Sequence, residues 1–178
     1  MWQWLRRKRH ERAGYLLYGA GVAAARSPVF YSTLGVPDTL DGRFELISVH
    51  AFLLIRRLRA LAPPGPALAQ AVFDAMFSDM DASLREMGVG DLSVGKRMRV
   101  MWEGFHGRAV AYETAMQRGN PAALPEALIR NVWRGVEGGD ARALARLVLA
   151  QDAHLAHQGA GDLLGGHVTF LAAEEAAR

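Results

Sequence analysis

The chain has 178 residues, of which 51% are apolar and 22% are charged, and it contains no cysteine. This length suits one compact domain, and the lack of cysteine excludes disulfides, thiolate metal sites and cysteine nucleophiles. The net charge of +3 comes from the first twelve residues, because the remaining 166 hold 16 basic and 17 acidic side chains.

Residues 1–12 are predicted to form a basic segment that contacts a membrane surface. The segment carries two tryptophans and a run of four cations: Trp2, Trp4, Arg6, Arg7, Lys8 and Arg9. Aromatic rings beside cations suit an anionic membrane, although a nucleic-acid backbone or a frayed, solvated terminus would explain them too. No apolar window reaches the ~18 residues of a membrane span, and no cleavable signal is recognisable. We therefore expect a soluble, cytoplasmic protein with a peripheral contact at the inner face of the membrane.

Apolar residues recur at spacings of three and four along the whole chain, which predicts an all-α fold of about six or seven helices. A helical domain is expected over residues 13–158, followed by a flexible joint and a tail helix over residues 159–178. The helices of this domain are predicted at residues 10–26, 28–35, 43–61, about 66–87, 91–119, 125–136 and 141–157.

The predicted helix 43–61 is apolar around most of its circumference, since Phe52 and Leu53 lie off its core stripe. Such a helix is either central in its own domain or partly covered by a partner. His50 lies on one edge of the core stripe together with Arg43 and Arg57, which are seven residues before it and seven residues after it. A hydrogen-bonded structural histidine is favoured there over a catalytic one, because no nucleophile or carboxylate partner is identifiable.

Residues 73–98 predict a helical hairpin with the character of a docking surface. Gly88 is a candidate left-handed residue at the end of its first helix, and Asp91 or Ser93 can cap its second. Methionines near the turn suit adaptable apolar contact, although core filling also explains several of them. The charged residues of the first helix have an ordinary explanation as solvated surface, where the pair Asp81–Arg85 contributes little.

No motif supports a catalytic residue, a metal site or a cofactor. Residues 90–96 have the spacing of a phosphate-binding loop, but Arg97 stands where serine or threonine is required and a predicted helix precedes the loop instead of a strand. Glu103 and His106 have the spacing of a di-iron ligand pair, but the second copy that such a site needs is missing. We predict that the protein is not an enzyme.

Two segments carry a family resemblance: Phe30–Leu58, FYSTLGVPDTLDGRFELISVHAFLLIRRL, and Leu68–Met98, LAQAVFDAMFSDMDASLREMGVGDLSVGKRM. They resemble the ubiquinol–cytochrome c chaperone family, and the similarity extends over about residues 10–150. The resemblance implies an all-helical, non-enzymatic factor that binds newly made cytochrome b during assembly of the cytochrome bc1 complex, complex III of the respiratory chain. Mitochondrial members act with a small helical partner and can sit near the ribosomal exit. This chain is short and arginine-rich, which looks bacterial and leaves both of those contacts open.

We predict that an apolar client binds the hairpin and the exposed side of helix 43–61. The predicted partner-binding residues are Arg43, His50, Phe52, Arg57, Met76, Asp79, Asp81, Arg85, Glu86, Met87, Lys96 and Arg97. One alternative is a nucleic-acid or ribosome-binding module that uses residues 6–12 and the Lys96–Arg99 cluster, but the nearly neutral charge of the rest argues against it, and no nucleic acid is expected. The other is a haem or quinone carrier, which needs a cavity.

Overall fold

The computed structural model describes residues 2–117, 119–135 and 138–176, with side chains from Lys8 to Glu174 within these ranges. Six helices of ten residues or more and three short helices lie in the described part, which holds no strand; the predicted all-α fold is confirmed. In chain order they are α1 (Trp2–Ala25), α2 (Pro28–Ser32), α3 (Leu40–Arg59), α4 (Gly65–Glu86), α5 (Asp91–Gln117), α6 (Ala123–Val132), α7 (Ala141–His157), α8 (Ala160–Leu164) and α9 (Ala173–Ala176).

Several helix ends are determined by capping residues that are recognisable in the sequence. The Asp140 carboxylate accepts a hydrogen bond from the Ala143 amide at 2.8 Å and caps α7, whose bounds match the prediction. Gly88 has φ +78° after α4, as predicted for a left-handed residue. Asp91 is already the first residue of α5, so the prediction that Asp91 or Ser93 caps this helix is wrong. The Gly90 carbonyl accepts from the Ser93 and Val94 amides instead.

Most helix bounds differ from the prediction by two to four residues, and two regions differ more strongly. Helix α1 begins at Trp2 and not at residue 10, so residues 2–12 of the basic segment belong to the first helix. Helix α8 and the buried Leu163 occupy the segment that was predicted to be a flexible joint. None of the helices in the described ranges combines the length and the apolar character needed to cross a bilayer.

Helix α3 is the centre of the molecule. It packs against α1, α4, α6 and α7, and twelve of its 20 residues are buried. Phe52, which lies off the predicted core stripe, packs against Tyr112 of α5 with ring centroids 5.7 Å apart. Of the two explanations for such an apolar helix, the central position is therefore the correct one.

The segment between α8 and α9 has no regular secondary structure and contacts α7 and α3. The Gln151 side chain donates to the Leu171 carbonyl at 2.8 Å and accepts from the Leu171 amide at 2.9 Å. Gln158 makes the same pair of bonds with Thr169. The Phe170 ring lies against buried His50 with centroids 5.3 Å apart. These contacts hold the last described segment on α7 and α3.

Candidate partner-binding groove

A groove of about 970 Å³ lies between α1 and the N-terminal half of α5. We call it the α1–α5 groove. Its floor is apolar and is formed by Phe44 and Ile47 of α3 and by Met80 and Leu84 of α4. One wall is formed by Tyr18 and Val22 of α1 and by Arg26 in the turn after it, and the other by Lys96, Arg97, Val100 and Met101 of α5.

The groove exists because α1 and α5 pack on different faces of α4. Gly14 of α1 meets Ala71 so closely that an added Cβ would lie 2.7 Å from the Ala71 carbonyl carbon. On another face of α4, Phe73 packs against Phe105 of α5 with ring centroids 5.7 Å apart. The two outer helices therefore diverge, and the side chains of α3 and α4 between them are left at the bottom of a channel.

The N-terminal half of α5 is mostly exposed to solvent. Only four of the 27 residues of α5 are buried, and Val94 is the one that lies before Phe105. Val100 faces the groove with 61% of its surface exposed, and Leu92 is 99% exposed outside it. This half of the helix offers apolar side chains to water, which is the property expected of a surface that a partner covers.

Six cationic and three acidic side chains line the groove. Most of them already have a partner: Arg43 with Asp38 at 2.6 Å, Arg134 with Asp41 at 2.8 Å, Arg108 with Glu45, and Asp79 with the Tyr18 hydroxyl at 2.7 Å. Three exposed cations, Arg26, Lys96 and Arg97, have no ion-pair partner among the described residues. The groove therefore has a surplus of uncommitted positive charge.

An ion pair with a buried carboxylate lines the groove. The Glu45 side chain is 1% exposed and accepts from the Arg108 guanidinium, which also lies 5.7 Å from the Phe44 ring centroid. Burial raises the pKa of Glu45 to about 7, against the opposing attraction of Arg108. Because Glu45 belongs to α3 and Arg108 to α5, the pair joins the wall of the groove to the central helix.

The structure brings five of the predicted partner-binding residues to the groove: Arg43, Asp79, Met87, Lys96 and Arg97. Met87 is 52% exposed at the turn between α4 and α5. These residues come from α3, α4, α5 and the turn between the last two, so their convergence depends on how the three helices pack.

Four predicted residues lie elsewhere on the surface. Arg85 binds Asp81 at 2.6 Å and also binds Asp91, so these charges are neutralised locally and do not line the groove. Glu86 is exposed beside them. Arg57 donates to the Gln158 carbonyl at 3.1 Å, near the opposite end of α3, where it supports the end of α7.

Three further residues are inside the core, and the prediction that they contact a partner is wrong. Phe52 is 5% exposed and Met76 is not exposed at all, because α1, α3, α4 and α5 cover them. His50 is buried between Phe30 and Phe170, and its Nδ1 donates to the Leu46 carbonyl at 2.8 Å. Its burial lowers its pKa to about 4. The favoured interpretation of His50 as a structural histidine is confirmed.

Several groove residues were not predicted from the sequence. Tyr18 lies on α1 and Arg26 in the turn after it, Val100 lies off the core stripe of α5, and Glu45 and Arg108 form the ion pair between α3 and α5. One sequence signal was available for the pair: a carboxylate inside an otherwise apolar helix needs a cation from another element.

Of the residues predicted to contact a membrane, four lie outside the described side chains: Trp2, Trp4, Arg6 and Arg7. Lys8 and Arg9 are exposed on α1. Further along the same helix, Arg12 is exposed, and Tyr15 and Leu16 each expose about half of their surface. This part of α1 therefore presents cations together with apolar side chains.

Comparison with known proteins gives one family and two relatives. The family model described as ubiquinol-cytochrome C chaperone matches residues 32–170. Ubiquinol-cytochrome-c reductase complex assembly factor 1 of Xenopus laevis is 23% identical over 103 residues, which cover 58% of this chain and 51% of that protein. The match thus spans about half the length of that relative. The crystal structure of the Cbp3 homolog from Brucella abortus is similar with a TM-score of 0.85 and 37% identity, covering 97% of both chains.

Proposed function

This chain belongs to the ubiquinol–cytochrome c chaperone family, and we propose that it is a non-enzymatic assembly chaperone of the cytochrome bc1 complex whose client is cytochrome b. The name of the Xenopus laevis relative, an assembly factor of that complex, supports the assembly role. The 37% identity to the Brucella abortus Cbp3 homolog over nearly the whole chain supports it further.

The observation that carries the client-binding role is the α1–α5 groove. It combines an apolar floor with an exposed apolar wall, and methionines from two helices, Met80, Met87 and Met101, line it. Methionine side chains adapt to varied apolar surfaces, which suits an immature apolar subunit. We propose that the client contacts this groove, with Arg43, Asp79, Lys96 and Arg97 orienting it.

Two substitutions on α5 test this function with a matched control. Val100→Asp places a charge on the groove wall, whereas Leu92→Asp places the same charge on a residue that is more exposed and does not line the groove. Each variant is expressed in cells deleted for the gene. We expect Val100→Asp to lose copurification of cytochrome b and to lower the abundance of the bc1 complex, and Leu92→Asp to retain both.

Retention of cytochrome b by both variants would contradict the groove as the client site. If deletion of the gene left the abundance of the bc1 complex unchanged, the assembly function itself would be contradicted. Far-UV circular dichroism of both purified variants shows whether the helical fold is intact.

A haem or quinone carrier is the competing function, because a groove of about 970 Å³ could hold a flat ring system. Its described lining contains tyrosine and methionine but no histidine. An absorption spectrum of the protein purified from cells that make the bc1 complex separates the two functions: a bound chromophore would favour the carrier.

We also propose that α1 makes a peripheral contact with the inner face of the membrane. The exposed cations Arg9 and Arg12 and the half-exposed Tyr15 and Leu16 support it, since such residues favour an anionic lipid surface. Sedimentation with vesicles containing phosphatidylglycerol tests the contact. We expect Arg9→Glu with Arg12→Glu to reduce binding, and the same charge change at exposed Arg142 and Arg146 of α7 to leave it unaltered.

A further inference from the structure

The uncommitted cations of the α1–α5 groove stand on both of its walls. Arg26 lies in the turn that directly follows α1, and Lys96 and Arg97 belong to α5. The other groove cations already have carboxylate partners, whereas these three have none among the described residues. An occupant of the groove therefore meets apolar side chains below it and unpaired positive charge on either side.

The volume of the groove is comparable to that of a short helix. A helix about 10 Å across and about 12 Å long, which is roughly eight residues or two turns, occupies about 970 Å³. An extended segment would fit less well, because the groove is built from helices and has no strand edge among the described residues to pair with the segment's backbone. A helix satisfies its own backbone hydrogen bonds and presents only side chains to the floor.

We infer that the groove recognises an amphipathic helix of the client that carries carboxylates on both sides of its apolar face. The apolar face lies on Phe44, Ile47 and Met80, and the flanking carboxylates pair with Arg26 on one wall and with Lys96 and Arg97 on the other. This inference rests on the proposed function and adds the chemical class of the segment that is bound. Recognition by charge orients the helix and excludes apolar segments that lack acidic flanks.

Binding of a designed peptide to the full chain tests the inference. The probe is a fluorescently labelled peptide of about 15 residues, long enough to form a helix, with leucines at helical spacing on one face and glutamates on both sides of that face. A matched peptide carries glutamine at each glutamate position. We expect the glutamate peptide to bind about tenfold more tightly at low salt, and this preference to shrink as salt screens the exposed charges. Fluorescence anisotropy measures both affinities.

The preference should depend on the cations named above. Lys96→Glu with Arg97→Glu is expected to abolish the preference for the glutamate peptide, while the same charge change at Arg142 and Arg146 of α7, two exposed arginines outside the groove, preserves it. Equal affinity of the wild-type chain for both peptides would overturn the inference. The inference would also be overturned if the chain had no preference between the two peptides and hemin or short-chain phosphatidylglycerol displaced both alike. That result would assign the groove to a small amphiphile.

Failure of the inference can be distinguished from failure of the proposed function. One outcome is that Val100→Asp loses cytochrome b but Lys96→Glu with Arg97→Glu retains it. The groove would then bind the client without pairing with its carboxylates, and the inference would be wrong. The other outcome is that the chain prefers the glutamate peptide but Val100→Asp retains cytochrome b. The groove would then bind acidic helices, and the proposed client site would be wrong.

Discussion

Helices α3 and α5 are both long and rich in apolar residues, yet the fold treats them in opposite ways. In α3, twelve of 20 residues are buried, whereas in α5 only four of 27 are buried. Helix α3 packs mainly on α1, α4, α6 and α7, whereas α5 packs mainly on α4 and α6. The apolar content of a helix therefore does not identify a binding surface in this protein. The decisive property is how many neighbouring helices cover it.

The difference between α3 and α5 should have its largest effect on local stability, which amide hydrogen exchange measures residue by residue. Amides in the buried part of α3 should exchange only through global unfolding, whose free energy is about 5–15 kcal/mol for a domain of this kind. Amides of residues 95–104 in α5 should exchange through local opening and should be less protected by several kcal/mol, because no side chain in that stretch is buried. Equal protection of both segments would mean that the exposed half of α5 is as firmly held as the core.

A matched pair of leucine truncations sharpens the comparison. Leu58 of α3 has no exposed surface and Leu92 of α5 is 99% exposed. Leu58→Ala should lower the free energy of unfolding by about 2–5 kcal/mol, because it leaves a cavity in the core. Leu92→Ala should change it by less than about 0.5 kcal/mol. Urea denaturation followed by circular dichroism gives both values, and a large loss for Leu92→Ala would show that α5 is covered in solution.

The burial of α3 also predicts an unusual dependence of stability on pH. Glu45 has its pKa raised from 4.5 to about 7, so between these values the folded chain binds more protons and stability falls as pH rises. His50 has its pKa lowered from 6.5 to about 4, so between these values the unfolded chain binds more protons and stability rises with pH. The two effects oppose each other between pH 4.5 and 6.5.

Glu45→Gln should reveal the contribution of His50. Without Glu45, the free energy of unfolding should rise with pH by up to roughly 1.4 kcal/mol per unit between pH 4 and 6.5. The wild-type chain should be nearly independent of pH over the shared window. Urea denaturation at several pH values measures both profiles, and their difference isolates Glu45 because all other titrating groups are common to both proteins. Parallel profiles would show that Glu45 stays ionised when it is buried beside Arg108.

Much of the fold could be predicted because helix ends are set by local chemistry. The bounds of α7 follow from Asp140 before the helix, and Gly88 marks the end of α4. The start of α1 was missed, since the basic run at residues 6–9 interrupts the apolar spacing on which the prediction relied. The tail was missed for a different reason: Gln151 and Gln158 hold it through side-chain contacts that no local pattern encodes.

The candidate site could be predicted only in part. Lys96, Arg97 and Met87 were found because they cluster around one hairpin, and the hairpin follows from the sequence. Arg26 was missed because it is 70 positions before Lys96, and only the packing of α1 and α5 on α4 brings the two to one groove. Phe52 and Met76 were misplaced for the same reason, since the helices that bury them are distant along the chain.

Two glycines give the smallest test of the contrast between covered and uncovered helices. Gly14 of α1 meets Ala71 of α4, and an added Cβ would lie 2.7 Å from the Ala71 carbonyl carbon, whereas a Cβ added at Gly95 of α5 would meet nothing within 4 Å beyond its own turn of helix. Gly14→Ala should lower the free energy of unfolding by about 1–3 kcal/mol, because the two helices must separate. Gly95→Ala should raise it by roughly 0.5–1 kcal/mol, because alanine favours the helix and meets no neighbour. Opposite signs in thermal or urea denaturation are the expected result, and a loss of stability for Gly95→Ala would indicate that another part of the protein covers the groove half of α5.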